Sequence, residues 1–236
     1  MNVTQAAVAA LLEQGVSPEI RNDPALLSLT RRLALEVVDY GHGVMDDLLF
    51  SRSSGREIAA MACEDVETAL LLVELAGSAP EARLVFLEHG VGLGVISTAV
   101  RMPERAIHTV VATERGRWLL RRLVALLRLR NVVVHAGQTE AFHDAAPDGW
   151  DLVCIKGLGP RAAIDVGLPL TGPGGRILSW QRSDRSAEIR ERRLGPRGEP
   201  TRLERKIASR CPAARGRTLL CIACETPQAS PAVAAG

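Results

Sequence analysis

Lysine is nearly missing from this chain: of 29 basic residues, all but Lys156 and Lys206 are arginine. Set against 27 acidic residues, they leave a net charge of only +2. No overall positive field therefore announces a nucleic-acid binder, and the distribution of charge matters more than its sum. Aromatic residues are also scarce, at 3% of the chain. Tyr40, Phe50 and three tryptophans are the stacking surfaces in view, which is thin for reading RNA bases. Long apolar runs are absent. The best, Ala69–Ala76, contains Glu74 and falls far short of the roughly 20 residues that span a bilayer. Residues Met1–Leu12 lack a basic flank and a long apolar block, so no secretory signal is expected there. A soluble cytoplasmic protein without a membrane partner is the expectation. The five cysteines are odd in number and irregularly spaced, which argues against a disulfide framework. Cys221 and Cys224 form a lone CxxC inside the apolar run Thr218–Ala223. On a strand, residues three apart point to opposite faces, so the pair cannot readily share a metal, and no metal site is expected.

Apolar residues make up 47% of the 236, enough for a large core. The first 80 or so residues read as helical by periodicity. Asp23-Pro24 opens one helix, with Asp as cap and Pro in the first turn, and Gly41-His42-Gly43 is expected to break it. A further helical run covers Glu57–Leu75, and Gly77–Pro80 reads as a linker. From Arg83 the pattern changes, and short apolar runs alternate with helical segments. Strands are expected at Leu84–Leu87, Ala106–Ala112, Asn131–His135, Trp150–Ile155 and Arg176–Trp180. Helices are expected at Val95–Arg101, Arg115–Arg130 and Ala162–Leu168. Leu203–Ser209 and Thr218–Ala223 read as a terminal antiparallel pair. This alternation predicts an α/β fold with a mostly parallel, doubly wound sheet. The expected organisation is a helical segment over 1–80, an α/β domain over 81–225 and a disordered, Pro/Ala/Ser-rich tail over 226–236.

In such a sheet, ligands sit beyond the carboxyl ends of the strands. The first sheet strand ends in Glu88-His89-Gly90-Val91-Gly92-Leu93-Gly94. Glycines there let the backbone turn and approach a ligand without a Cβ in the way. A dinucleotide fingerprint would place its last glycine at Val95, so that spacing fails. The E-x-G-x-G-x-G pattern instead resembles motif I of class I methyltransferases. Three further features agree. Glu114 stands at the end of the second strand, followed by Arg115. Gln138-Thr139-Glu140 follows the third. Leu168–Arg176 resembles the family's L-x-P-G-G turn before the fifth.

The layout from Glu57 to about Ala223 is similar to the RsmG (GidB) family, whose members methylate guanine N7 in small-subunit ribosomal RNA. Phe86–Ser97 resembles the family's F-I-D-V-G-T-G-x-G-L-P-G, and Gln138–Phe142 its R-x-E-E-F. The resemblance implies a class I, Rossmann-like, seven-stranded sheet and S-adenosylmethionine as cofactor. It implies a cofactor site drawn from Glu88, His89, Gly90, Gly92, Gly94, Val95, Glu114, Arg115, Gln138, Thr139, Glu140 and Lys156. Glu88 would meet the methionine portion, Glu114 the ribose hydroxyls, and residues 138–140 the adenine. The chain also departs from the family. The S-R-A after the fourth strand is here Ile155-Lys156-Gly157, which keeps a charge but loses the planar fork. The R-H-x-x-D-S helix start is replaced by Met61–Val66, and the N-L-T signature by Asp46–Leu49. The cofactor half is thus kept better than the substrate half.

Lys156 is the candidate catalytic residue, with His89 and His135 as other polar groups near strand ends. Guanine N7 offers a lone pair and needs no base, whereas an oxygen or amine acceptor can need one. The expected activity is S-adenosylmethionine-dependent methyl transfer to ribosomal RNA, with the Arg-dense stretch Arg182–Arg217 gripping phosphate. The alternatives are a small-molecule methyltransferase and a non-catalytic cofactor-binding relative.

Overall fold

A computed structural model describes residues 12, 16–44, 55–77, 81–88, 93–111, 113–135, 146–156, 158–182, 201–210 and 216–224. Three helices come first: α1 (Pro18–Asn22), α2 (Pro24–Val44) and α3 (Gly55–Gly77). The first two each begin on a capped proline. Ser17 Oγ accepts from the Ile20 amide at 3.4 Å. Asp23 Oδ1 accepts from the amides of Ala25 at 3.0 Å and Leu26 at 3.1 Å. Proline in the first turn forfeits no helical bond, because its amide would have no partner there. The break expected at Gly41-His42-Gly43 does not occur, and α2 runs on through Val44. Each glycine costs a helix about 1 kcal/mol against alanine but keeps its N–H, so it weakens the helix without ending it.

The sheet follows: β1 (Leu84–Glu88), α4 (Leu93–Arg101), β2 (Ile107–Val111), α5 (Glu114–Leu126), β3 (Val132–His135), β4 (Trp150–Lys156), α6 (Pro160–Gly167), β5 (Thr171–Arg182), β6 (Thr201–Ala208) and β7 (Arg217–Cys224). The spatial order is β3-β2-β1-β4-β5-β7-β6. Strands β1 to β5 run parallel, and β7 lies antiparallel between β5 and β6. Central strands such as β1 and β4 are almost continuously apolar because helices cover both faces.

Alternate residues feed two cores. Leu84, Phe86, Leu152, Cys154, Trp180 and Cys221 face one, together with Val66 and Leu72 of α3, Ile96 of α4 and Leu120 of α5. Leu33 of α2 and Ile20 of α1 join the same core, so the N-terminal helices pack as part of the sheet's own interior. Val85, Leu87, Val153, Ile155, Ile222 and Cys224 face the other, closed by Ala163 and Ile164 of α6. Cys221 and Cys224 thus fall on opposite faces, as their spacing requires.

Two boundaries differ from expectation. Helix α5 ends at Leu126, four residues before Arg130, because the chain turns left-handed at Arg128 (φ 54). Asn131 Nδ2 then lies 3.0 Å from the carbonyls of Ala99, Met102 and Arg105, tying this turn to the end of α4. Strand β5 begins at Thr171, so Gly172–Gly175 lies within the strand instead of preceding it. Trp150 pairs with Thr171 and Leu152 with Arg176, so the Gly-Pro-Gly-Gly stretch forms a bulge against β4.

Candidate functional site

The strand order reverses between β1 and β4, which makes that junction the topological switch point. Glu88 and Lys156 end these two strands and stand in register. The start of α4 returns to the same place. Gly94 is buried there, and Val95 is wholly buried in the core that α3 also enters. At the end of β2, Thr113 caps α5 by accepting from the Gly116 amide at 3.1 Å. Glu114, the first residue of α5, is exposed. Among the described residues it forms no ion pair. Glu88 and Arg115 are placed by their backbone alone. His89, Gly90, Gly92, Gln138, Thr139 and Glu140 lie outside the described residues, as do 183–200 of the Arg-dense stretch.

Lys156 does not stand alone at its strand end. Its Nζ lies 2.5 Å from Asp65 Oδ1 and 3.7 Å from Glu64 Oε2. Glu64 is shared, because Arg217 Nε on β7 reaches its other oxygen at 3.2 Å. Both carboxylates belong to α3 and are only 3% exposed, against 22% for Lys156. Burial pushes the Asp65 carboxyl up to about 6, with Lys156 holding it back and Glu64 adding to the rise. An ammonium held this closely by a carboxylate is protonated. Lys156 can therefore donate hydrogen bonds and present positive charge, but it cannot accept a proton.

The sequence reading missed Glu64 and Asp65. The signal available was two consecutive acids within a largely apolar helical stretch, Ala59–Val73. Such acids must either face water or meet a cation, and periodicity alone does not say which. Beside them, Trp180 Nε1 donates to Thr68 Oγ1 at 2.5 Å. Asp65, Thr68, Phe86, Gly94, Lys156 and Trp180 together line a narrow cleft at the switch point.

His135 ends β3, but the structure draws it away from that cleft. His108 Nδ1 and His135 Nε2 are 2.8 Å apart, and the rings stack with centroids at 5.1 Å. Such a contact needs one nitrogen to donate and the other to accept, so the accepting ring must be neutral. Burial lowers the pKa of both, and His135 further disfavours charge on His108. The unfolded chain takes up protons near pH 6.5 while the folded pair resists them, so stability is full above that value and is lost as pH falls through it. We expect melting temperature to drop between pH 7.5 and 5.5, and the drop to shrink in His135→Gln. An equal drop in that variant would exclude the pair as its source.

No helix among the described residues is long and apolar enough to cross a membrane. Among those residues, no group of three or more His, Cys, Asp or Glu could hold a metal.

Comparison with known proteins places this geometry. No protein-family model matches the chain. The sequence is similar to ribosomal RNA small subunit methyltransferase G of Thermobifida fusca (strain YX), 31% identical over 113 residues. That match covers 48% of this chain and 47% of the relative, so it spans about half the length of each. The structure is similar to an O-methyltransferase from Bacillus cereus solved in complex with SAH: TM-score 0.54, 16% identity, covering 84% of this chain and 91% of that one. It is also similar to a ribosomal protein L11 methylase from Lactobacillus delbrueckii subsp. bulgaricus: TM-score 0.52, 12% identity, covering 69% and 79%. TrmN from Thermus thermophilus gives 0.51 at 15% identity, covering 66% and 48%. The fold is the class I, Rossmann-like methyltransferase fold, and the sequence resemblance to RsmG is borne out in a divergent form.

Proposed function

We propose that the protein is an S-adenosylmethionine-dependent methyltransferase of RsmG type, acting on ribosomal RNA in the cytoplasm. The observation that carries this reading is the switch point itself. There Gly94 at the start of α4 meets the ends of β1 and β4, with Lys156 closing β4, and Glu114 opens α5 after β2.

The residues present fit the cofactor. Glu114 is exposed as the first residue of α5, just beyond β2, a position from which a carboxylate can take two ribose hydroxyls by paired charge-assisted hydrogen bonds. Gly94, which carries no side chain, lines the cleft at the start of α4. Glu88, His89, Gly90, Gly92 and Val95 would surround the methionine portion, and Arg115, Gln138, Thr139 and Glu140 the adenosine. When bound, the cofactor supplies an electrophilic methyl group on a sulfonium. The chain's own work is then to align the acceptor and keep water out. Lys156, fixed by Asp65, would orient the acceptor by donating a hydrogen bond to it. Phe86 and Trp180 make the cleft wall apolar. A ring nitrogen with a free lone pair needs no base, which suits a site whose lysine is already protonated.

Calorimetry with S-adenosylmethionine and its demethylated product tests the cofactor. Binding is expected, and Glu114→Ala should weaken it by roughly 10- to 100-fold, the size of a lost charge-assisted hydrogen-bond pair. No binding by the folded wild type, or unchanged binding by the variant, defeats the placement. Incorporation of labelled methyl into stripped small ribosomal subunits tests the acceptor. A cofactor-binding protein that transfers none would have a different acceptor, such as a small molecule.

A further inference from the structure

Helix α5 turns Leu119, Leu120 and Leu123 into the core, and its other face stands in solvent. At the centre of that face is Trp118, 49% exposed. Trp150 and Trp180 are 2% and 8% exposed, so Trp118 is the exposed indole. Arg121 and Arg122 lie three and four residues further on, which puts them on the same face. The Arg122 guanidinium sits 5.9 Å from the Trp118 ring centroid. Exposed Arg128 and Arg130 extend the strip beyond the helix. Glu114 is the only acid between residues 113 and 131. Among the described residues, Arg121, Arg128 and Arg130 meet no carboxylate.

From this we infer that the outer face of α5 is a docking strip for the sugar-phosphate backbone of single-stranded RNA, with Trp118 as a base-stacking platform. The choice of RNA rests on the methyltransferase reading above; the surface itself is argued from charge and exposure. Guanidinium groups flanking an exposed indole match an alternation of phosphates and bases, since phosphates exchange their counterions for arginine and bases stack on the ring. An anionic membrane fits poorly. A helix lying in a bilayer interface needs its apolar face free, and here the leucines of α5 are spent in the core. The strip starts beside Glu114, so a strand lying along it would lead toward the carboxyl ends of β1 and β4. The net charge of +2 conceals it, because acids elsewhere cancel the sum.

The test uses the full-length chain, a fluorescein-labelled single-stranded RNA 12-mer and no cofactor. Three results are expected. The RNA quenches part of the tryptophan emission. Trp118→Ala weakens the RNA affinity about tenfold, as for loss of one stacking platform. The Arg121→Gln/Arg122→Gln variant lowers the slope of log K against log salt by about 1.4, the value for two lost phosphate contacts on a single strand. Unquenched emission with full binding, or unchanged affinity and salt slope in both variants, overturns the proposal. Equal affinity for a poly-glutamate peptide of the same charge would also overturn it in favour of an acidic protein partner. Cofactor binding, measured separately by calorimetry, should persist in Trp118→Ala. Loss of RNA binding with intact cofactor binding therefore speaks to the strip, and the reverse speaks to the methyltransferase site.

Discussion

Lys156→Met should destabilise the protein by about 3 kcal/mol at pH 8, the usual scale for removing one partner of a buried ion pair. The loss comes less from the missing attraction than from what remains. Asp65 and Glu64 are 3% exposed, and among the described residues the loss of Lys156 leaves Arg217 paired with Glu64 and no cation paired with Asp65. The effect should depend on pH in a defined direction. The Asp65 carboxyl is raised from an ordinary 3.8 to about 6, so the folded state holds its proton where the unfolded chain has lost it. For such a group, the stabilising contribution is complete below pH 3.8 and is lost as pH rises through 6. Lys156 limits that rise, so removing it carries the loss to still higher pH. The variant should therefore be hurt most at pH 8 and least near pH 5. Asp65→Asn/Lys156→Met, which deletes both charges, should recover much of the stability. Urea unfolding at the two pH values reads this directly. A penalty independent of pH, or below about 1 kcal/mol at pH 8, would show that the pair is effectively solvated.

The second large effect is expected from Gly149→Ala. Gly149 has a φ of +81, and a Cβ there would lie 2.5 Å from Gly172 N and 2.6 Å from Gly172 Cα. Gly172 returns the constraint, since its own Cβ would lie 2.6 Å from Asp148 O. Two backbones meet here without side chains between them, so neither can give way by a rotamer change. Left-handed strain of about 1–2 kcal/mol and overpacking of about 1–3 kcal/mol add to a loss of roughly 3 kcal/mol or more. Gly216→Ala is the control. It has a similar φ of +83, but nothing lies within 4 Å of a Cβ there. Strain alone should cost it about 1 kcal/mol. If thermal melts give the two variants equal losses, the close approach of this turn to β5 is not what holds the glycine.

That contact also recasts the Gly172–Gly175 turn. As sequence it served as a cofactor-family signature placed before a strand. In the structure these residues form a bulge inside β5; Gly172 is required by contact with Asp148-Gly149 just before β4, and Gly175 by β4 itself, since a Cβ on it would lie 2.8 Å from Trp150 O. The motif was legible, but its physical reason was not, because the neighbouring strand lies some 20 residues away in sequence. Helix ends show the same division. The caps Ser17, Asp23 and Thr113 act within three residues, and such local chemistry can be read directly. The end of α5 depends on a left-handed Arg128 and on Asn131 reaching three carbonyls 26, 29 and 32 residues back, which no local pattern encodes.

The pairing at the switch point divides in the same way. Lys156 was singled out from the sequence because it stands where the RsmG family has S-R-A. Its partners Asp65 and Glu64 lie about 90 residues earlier, in a helix whose apolar rhythm hides them. What the chain determines by itself is the order of its elements, the two-faced alternation of β1, β4, β5 and β7, and the glycine-rich sequence that follows Glu88. These follow from residue-by-residue hydropathy and turn chemistry. What only the tertiary structure decided is which charges meet: Lys156 with Asp65, Arg217 with Glu64, and His108 with His135. Burial and long-range register make those contacts, and neither is a property of any local stretch of sequence.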